Sequence, residues 1–89
     1  ELDKRCEEAY CNLGVVFLRT KEYSKAEECL IQAIELRPSY VNAYCNLGKT
    51  YVYLGRLAEA VNIYKQALAI LPKCSSAKAD LGAIYLASN

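Results

Sequence analysis

The sequence predicts an all-α fold of five helices laid down as hairpins that repeat along the chain. Three observations predict it. Ala-Tyr-Cys-Asn-Leu-Gly occurs at Ala9 to Gly14 and again at Ala43 to Gly48, an interval of 34 residues. The same shift pairs Ala26 with Ala60, Gln32 with Gln66, Ala33 with Ala67 and Pro38 with Pro72. Within each copy the apolar residues recur at spacings of three and four, the period of a helix with one buried face. Repeats of roughly 20 to 50 residues mark units that bury their apolar faces only by stacking on one another.

The elements follow in order. Tyr10, Leu13, Gly14 and Phe17 form one stripe of a first helix over Glu7 to Thr20. Lys21, Glu22 and Tyr23 break that pattern. Ser24 is then expected to cap a second helix through a backbone hydrogen bond, with Glu27 completing a capping box. Ala26, Leu30, Ala33 and Ile34 continue this helix until Pro38, which lacks a backbone donor and restricts its predecessor, ends it. The chain restarts at about Tyr40 or Val41, and Tyr44, Leu47, Gly48 and Tyr51 repeat the first stripe. Leu54, Gly55 and Arg56 separate that third helix from a fourth over about Ala58 to Ile70, which Pro72 closes. Ser75 to Ser88 has the length for one terminal helix, with Leu81, Gly82 and Tyr85 in register with the earlier copies. The units are residues 7–40, 41–74 and a partial 75–89 of a single domain spanning 1–89. The chain opens on Glu1 rather than Met and its third copy stops mid-unit, which points to a piece of a longer array.

Gly14, Gly48 and Gly82 lie inside helices, where glycine costs about 1 kcal/mol relative to alanine. That cost is expected where a neighbouring helix comes close to the backbone. Ala26, Ala33, Ala60 and Ala67 leave further shallow surfaces, and Tyr10, Phe17, Tyr44, Tyr51, Tyr64 and Tyr85 supply the bulk to fill them.

An apolar share of 54% argues against disorder, and a formal net charge of +1 gives no general attraction for nucleic acid or anionic lipid. The charges are segregated: residues 1–40 carry six Lys or Arg against eight Asp or Glu, and residues 41–89 carry five against two. No run approaches the roughly 20 apolar residues that cross a bilayer, and no leader pattern precedes the first helix. A cytoplasmic or nuclear location is expected. The five cysteines are odd in number, and all but Cys74 fall in periodic helical segments, so free thiols in a reducing compartment are expected. Cys11 and Cys45 are equivalent points on successive repeats, expected about 8 to 10 Å apart and beyond disulfide reach. Cys6, Cys29 and Cys74 are expected to be packing or surface residues. With no histidine, no Cys-x-x-Cys pair and no glycine-rich phosphate loop, no metal, cofactor or catalytic centre is expected. The adjacent acids Glu7-Glu8 and Glu27-Glu28 diverge around a helix rather than share a proton.

The aromatic at Tyr10 or Tyr44, the Leu-Gly pair, the aromatic at Phe17 or Tyr51, the small residues of the second helix and the closing Pro38 or Pro72 together resemble the tetratricopeptide repeat family. The resemblance covers two units over about Glu7 to Cys74, with Ser75 to Asn89 similar to the first helix of a third. Three positions depart from the pattern: Lys21 stands where a glycine often closes the turn, Leu57 replaces the aromatic found at Tyr23, and Lys78 replaces Tyr10 and Tyr44.

The resemblance implies an alpha-alpha superhelix, a right-handed solenoid whose first helices line a concave groove that binds extended or helical peptide segments and whose second helices face outward. Its lining would be Glu8, Cys11, Asn12, Val15, Leu18 and Arg19 in the first unit. The second unit would present Asn42, Cys45, Asn46, Lys49, Val52 and Tyr53, and the third Ser76, Ala79, Asp80, Ala83 and Leu86. Asn12 and Asn46 match an asparagine that forms a ladder along the groove in some peptide-binding members; each amide offers two donors and an acceptor. A clamp for acidic C-terminal tails, a second mode of the family, fits poorly. Asn46 matches one clamp asparagine, but Cys11 and Val15 occupy the other positions and Ser76 and Asp80 replace the basic pair. The expected function is a non-catalytic protein interaction module taking a peptide or helix of another protein, apolar side chains giving affinity and asparagines fixing register. The alternatives are a structural scaffold within a larger assembly, which includes a homo-oligomer formed through Leu81, Ile84, Tyr85 and Leu86, and a targeting module fused to an enzyme.

Overall fold

The computed structural model describes residues 6–88, which form α1 (Cys6–Arg19), α2 (Tyr23–Leu36), α3 (Val41–Tyr53), α4 (Leu57–Ile70) and α5 (Ser75–Ser88). No strand occurs among the described residues. Short turns pair α1 with α2 and α3 with α4 as hairpins, α2 packs on α3, and α4 packs on α5. The first helices also touch one another, α1 on α3 and α3 on α5, whereas α2 and α4 do not meet. A stack closed on one side and splayed on the other must curve toward the closed side. The concave face therefore belongs to α1, α3 and α5, in a body 47 × 28 × 16 Å.

The hairpin turns share one construction. Lys21 donates its amide to Leu18 O (3.1 Å) and Glu22 to Phe17 O (2.8 Å), and 34 residues later Gly55 donates to Val52 O (3.0 Å) and Arg56 to Tyr51 O (2.8 Å). These paired bonds satisfy the last carbonyls of α1 and α3 and need a left-handed residue at their centre. Gly55 takes it at φ 79°, and Lys21 at φ 65° does so without glycine's freedom.

The capping box expected at Ser24 and Glu27 is corrected. Helix α2 already begins at Tyr23, its N-cap is Glu22, and no side chain bonds the free amides at either Glu22 or Arg56, the equivalent N-cap of α4. An ion pair across three residues stands there instead: Glu22 with Lys25 (3.0 Å) and Arg56 with Glu59, at which the signs are exchanged. Glu27 is engaged elsewhere, accepting two bonds of 3.1 Å from Arg56 of the next hairpin.

Ala26, Leu30, Ala33, Ala43, Leu47, Ala60, Tyr64 and Ala67 are buried and form the core between helices. A Cβ added to Gly14 would fall 2.7 Å from Leu30 Cγ, and one added to Gly48 would fall 2.6 Å from Tyr64 Cζ. Both glycines thus admit a side chain from the hairpin partner. Gly82, their equivalent on α5, has nothing within 4 Å. Burial of the aromatics divides in the same way. Tyr44, Tyr51 and Tyr64 are buried as expected, but Tyr10 and Tyr85 are exposed at 38% and 48%. The reason is position: α2 covers Tyr44 on α3, no described helix lies before α1, and none follows α5.

Candidate functional site

A cavity of about 440 Å³ opens on the concave side between α3 and α5. Lys49, Val52 and Tyr53 form one wall, and Asp80, Ala83, Ile84 and Ala87 the other, with Leu57 and Tyr64 of α4 at the floor. Each wall is one helix face, since its members stand three and four residues apart. The alanines of α5 keep that wall shallow. Aromatic and aliphatic carbon makes most of the surface, while Lys49 and Asp80 set opposite charges on facing walls. Tyr64 donates its hydroxyl to Asp80 Oδ2 at 3.2 Å. Burial and the Asp80 carboxylate push the Tyr64 phenol above its ordinary range, so it remains a donor.

Five of the residues assigned to the groove from sequence line this cavity: Lys49, Val52, Tyr53, Asp80 and Ala83. Tyr53 also stacks on Tyr23 of the preceding hairpin, with ring centroids 5.0 Å apart and planes inclined by 13°. Asn12, Asn42 and Ala79 are exposed but outside the cavity, as are the half-buried Val15 and Leu18, the latter packed on the core. Asn46 is half-buried and donates its amide to Cys11 Sγ at 3.7 Å, so one of its donors is spent between repeats. Cys11 and Cys45 are 3% and 9% exposed, which corrects their assignment to the groove surface. The small thiol at this position lets adjacent first helices close on one another, and that closure buries it. Four lining residues were missed: Leu57 and Tyr64 because a groove drawn from first helices alone omits the hairpin partner beneath them, and Ile84 and Ala87 although they stand on the first-helix α5, Ile84 being assigned from sequence to a self-association face. Among the described residues no acidic and cysteine side chains cluster as metal ligands, and no helix is long and apolar enough to cross a membrane.

Stacked hairpins with glycines opposite Leu30 and Tyr64, prolines closing each unit and a concave first-helix face define a helical-repeat solenoid. The chain belongs to the tetratricopeptide repeat family, whose model matches residues 5–73. Among solved structures, the crystal structure of MamA is similar over 98% of this chain and 51% of its own, with a TM-score of 0.91 and 31% identity. The first tetratricopeptide domain of Spaghetti (RPAP3), bound to the HSP90 peptide SRMEEVD, matches 91% of this chain and 64% of that one, with a TM-score of 0.87 and 28% identity. The second domain of human RPAP3, in complex with the HSP70 peptide SGPTIEEVD, gives a TM-score of 0.87 and 29% identity over 93% of this chain and 69% of its own. The chain thus spans about half of MamA and under two thirds of the first RPAP3 domain. No protein in the curated set matches it.

Proposed function

We propose that this chain is a non-catalytic interaction module that holds a peptide or helical segment of a partner protein on its concave face, seating an apolar side chain in the α3–α5 cavity. One observation carries the proposal: an open, mostly apolar cavity lies on the concave side and carries opposite charges on its two walls. Two structurally similar domains of the same family are bound to chaperone peptides, which supports a peptide as the class of ligand. The chemistry here selects a different peptide. Asp80 turns a carboxylate toward the cavity and Ser76 supplies no cation, so a tail ending in consecutive acids meets repulsion instead of charge-assisted bonds. The fitting ligand pairs a large apolar anchor with a basic residue near Asp80 and an acceptor near Lys49, with Asn12 and Asn46 bonding its backbone.

A displayed library of random peptides, selected on the intact chain and counter-selected on Ala83→Arg, tests this. Selected peptides should carry an anchor beside a basic residue, lose binding to Ala83→Arg, and weaken on the triple change Asn12→Ala, Asn46→Ala, Lys49→Ala. Peptides that bind all three proteins equally would refute the groove. Tight binding of SRMEEVD would refute the charge assignment.

A further inference from the structure

The repeat interval that equates Cys45 with Cys11 also equates Cys74 with Tyr40, and it predicts which side chains meet. In the first unit Tyr40 stands near Cys11, close enough for the thiol to help hold the phenol in its neutral form. In the second unit both places hold cysteine, and their sulfurs lie 3.8 Å apart. Cys45 sits buried in the middle of α3; Cys74 is half-buried in the turn that leads into α5. All five cysteines are free, and among the described residues no other two cysteine sulfurs are in contact.

We propose that Cys45 and Cys74 form a redox-modification site, a dithiol that closes reversibly into a disulfide and ties α5 to α3. A disulfide requires the sulfurs to approach by roughly a further 1.8 Å, to about 2.05 Å. Cys74 is placed to make that movement, being in a turn rather than within a helix. The co-reactant is a small-molecule disulfide such as oxidised glutathione. Cys74, the more accessible thiol, loses its proton, and its sulfur attacks one sulfur of the co-reactant and expels a glutathione thiolate, which takes up a proton. Cys45 then loses its proton, and its sulfur attacks the Cys74 sulfur of the mixed disulfide and expels the second glutathione. Two protein thiols are oxidised and one glutathione disulfide is reduced to two thiols. Burial, together with the neighbouring Cys74 sulfur, pushes the Cys45 thiol up to about 12, which leaves the first attack to Cys74.

The bond would close a loop between positions 29 residues apart, enclosing all of α4. Restricting the unfolded chain in this way should raise the melting temperature by roughly 10 °C or more. It also joins the two helices that wall the cavity, although this proposal stands without the peptide reading and its test needs no ligand.

The intact chain is equilibrated in glutathione buffers of graded poise, trapped with iodoacetamide, digested and mapped by mass spectrometry, with melting followed in parallel. The Cys45–Cys74 linked peptide should form in monomeric protein at a more reducing poise than any other pair, with the higher melting temperature reversed by dithiothreitol. Cys74→Ser and Cys74→Ala should both abolish the linked peptide and melt alike in oxidising and reducing buffer. Cys74 ending as a glutathione adduct beside a free Cys45, another pair forming first, or a linked form that melts lower would each overturn the proposal.

Discussion

Two glycines that occupy the same place in the repeat should respond to alanine in opposite directions. At Gly48 a new Cβ would lie 2.6, 2.7 and 2.8 Å from three ring carbons of Tyr64, where carbon contacts normally settle at about 3.5 to 4.0 Å. Moving the ring out of the way would disturb its place at the cavity floor: Tyr64 is 1% exposed, and its hydroxyl is held by Asp80. Overpacking of this kind costs about 1 to 3 kcal/mol. Weakening the hydroxyl bond adds about 1 kcal/mol, and the better helix propensity of alanine returns about the same amount. Gly48→Ala should therefore destabilise the chain by about 1 to 3 kcal/mol. At Gly82 nothing stands within 4 Å, so only the propensity remains and Gly82→Ala should stabilise by up to about 1 kcal/mol. Since 1 kcal/mol moves the melting point of a domain this size by about 4 to 8 °C, the two variants should separate clearly in thermal unfolding followed by far-ultraviolet circular dichroism. Shifts of the same sign would show that contact with the hairpin partner does not explain glycine at this position.

Three further outcomes are expected. Lys21→Gly should stabilise by about 0.5 to 1 kcal/mol and Gly55→Ala destabilise by about 1 kcal/mol, because both positions hold positive φ; urea titration reads both. A double-mutant cycle with Tyr23→Ala and Tyr53→Ala should return a coupling of roughly 0.5 to 1.5 kcal/mol from the stacked rings, and a value near zero would remove their part in joining the hairpins. Alkaline pH should destabilise the chain. Burial raises the Cys45 thiol from 9.0 to about 12 and the Tyr64 phenol above 10, so folding favours the protonated forms. A raised folded value gives stability that is complete below the unfolded value and is lost on the way up through the folded one. Melting temperature under reducing conditions should accordingly hold to about pH 9 and fall between about pH 9 and 12, more gently in Cys45→Ser; a flat profile would contradict the burial argument.

Most of the fold was legible because its signals are local and doubled. A stripe at spacings of three and four fixes a helix, proline fixes its end, and a second copy removes the ambiguity of the first. Helix boundaries agree with expectation to within a residue or two for this reason. The capping box misled because Ser24 and Glu27 carry a valid local signal, yet Glu27 finds a partner 29 residues away in Arg56, and no local rule sees that distance. The cavity was legible in its α3 wall and in half of its α5 wall, where Ile84 and Ala87 were not assigned to the groove, and not in its floor. Lys49, Val52, Asp80 and Ala83 lie on first-helix faces that periodicity identifies, whereas Leu57 and Tyr64 enter from the adjoining helix through packing. The cysteines show a similar division. Periodicity placed Cys11 and Cys45 on the inner helices, but burying them takes the approach of neighbouring helices, which depends on side-chain sizes around them. The thiol pair was present in the repeat alignment itself, since Cys74 stands where Tyr40 does, and becomes visible once one unit's contacts are carried to the next.

The exchanged signs at the starts of α2 and α4 give the hairpins an order. Arg56 salt-bridges Glu59 in its own hairpin and Glu27 in the hairpin before. A duplicate of the first hairpin inserted in place of the second would bring Glu22 to the location of Arg56, opposite Glu27, so that two acids would face each other across the joint. Units that look interchangeable by their shared letters thus carry a polarity code for their successor, and shuffled arrays built from them should discriminate against the wrong sequence of modules even when every apolar contact is preserved.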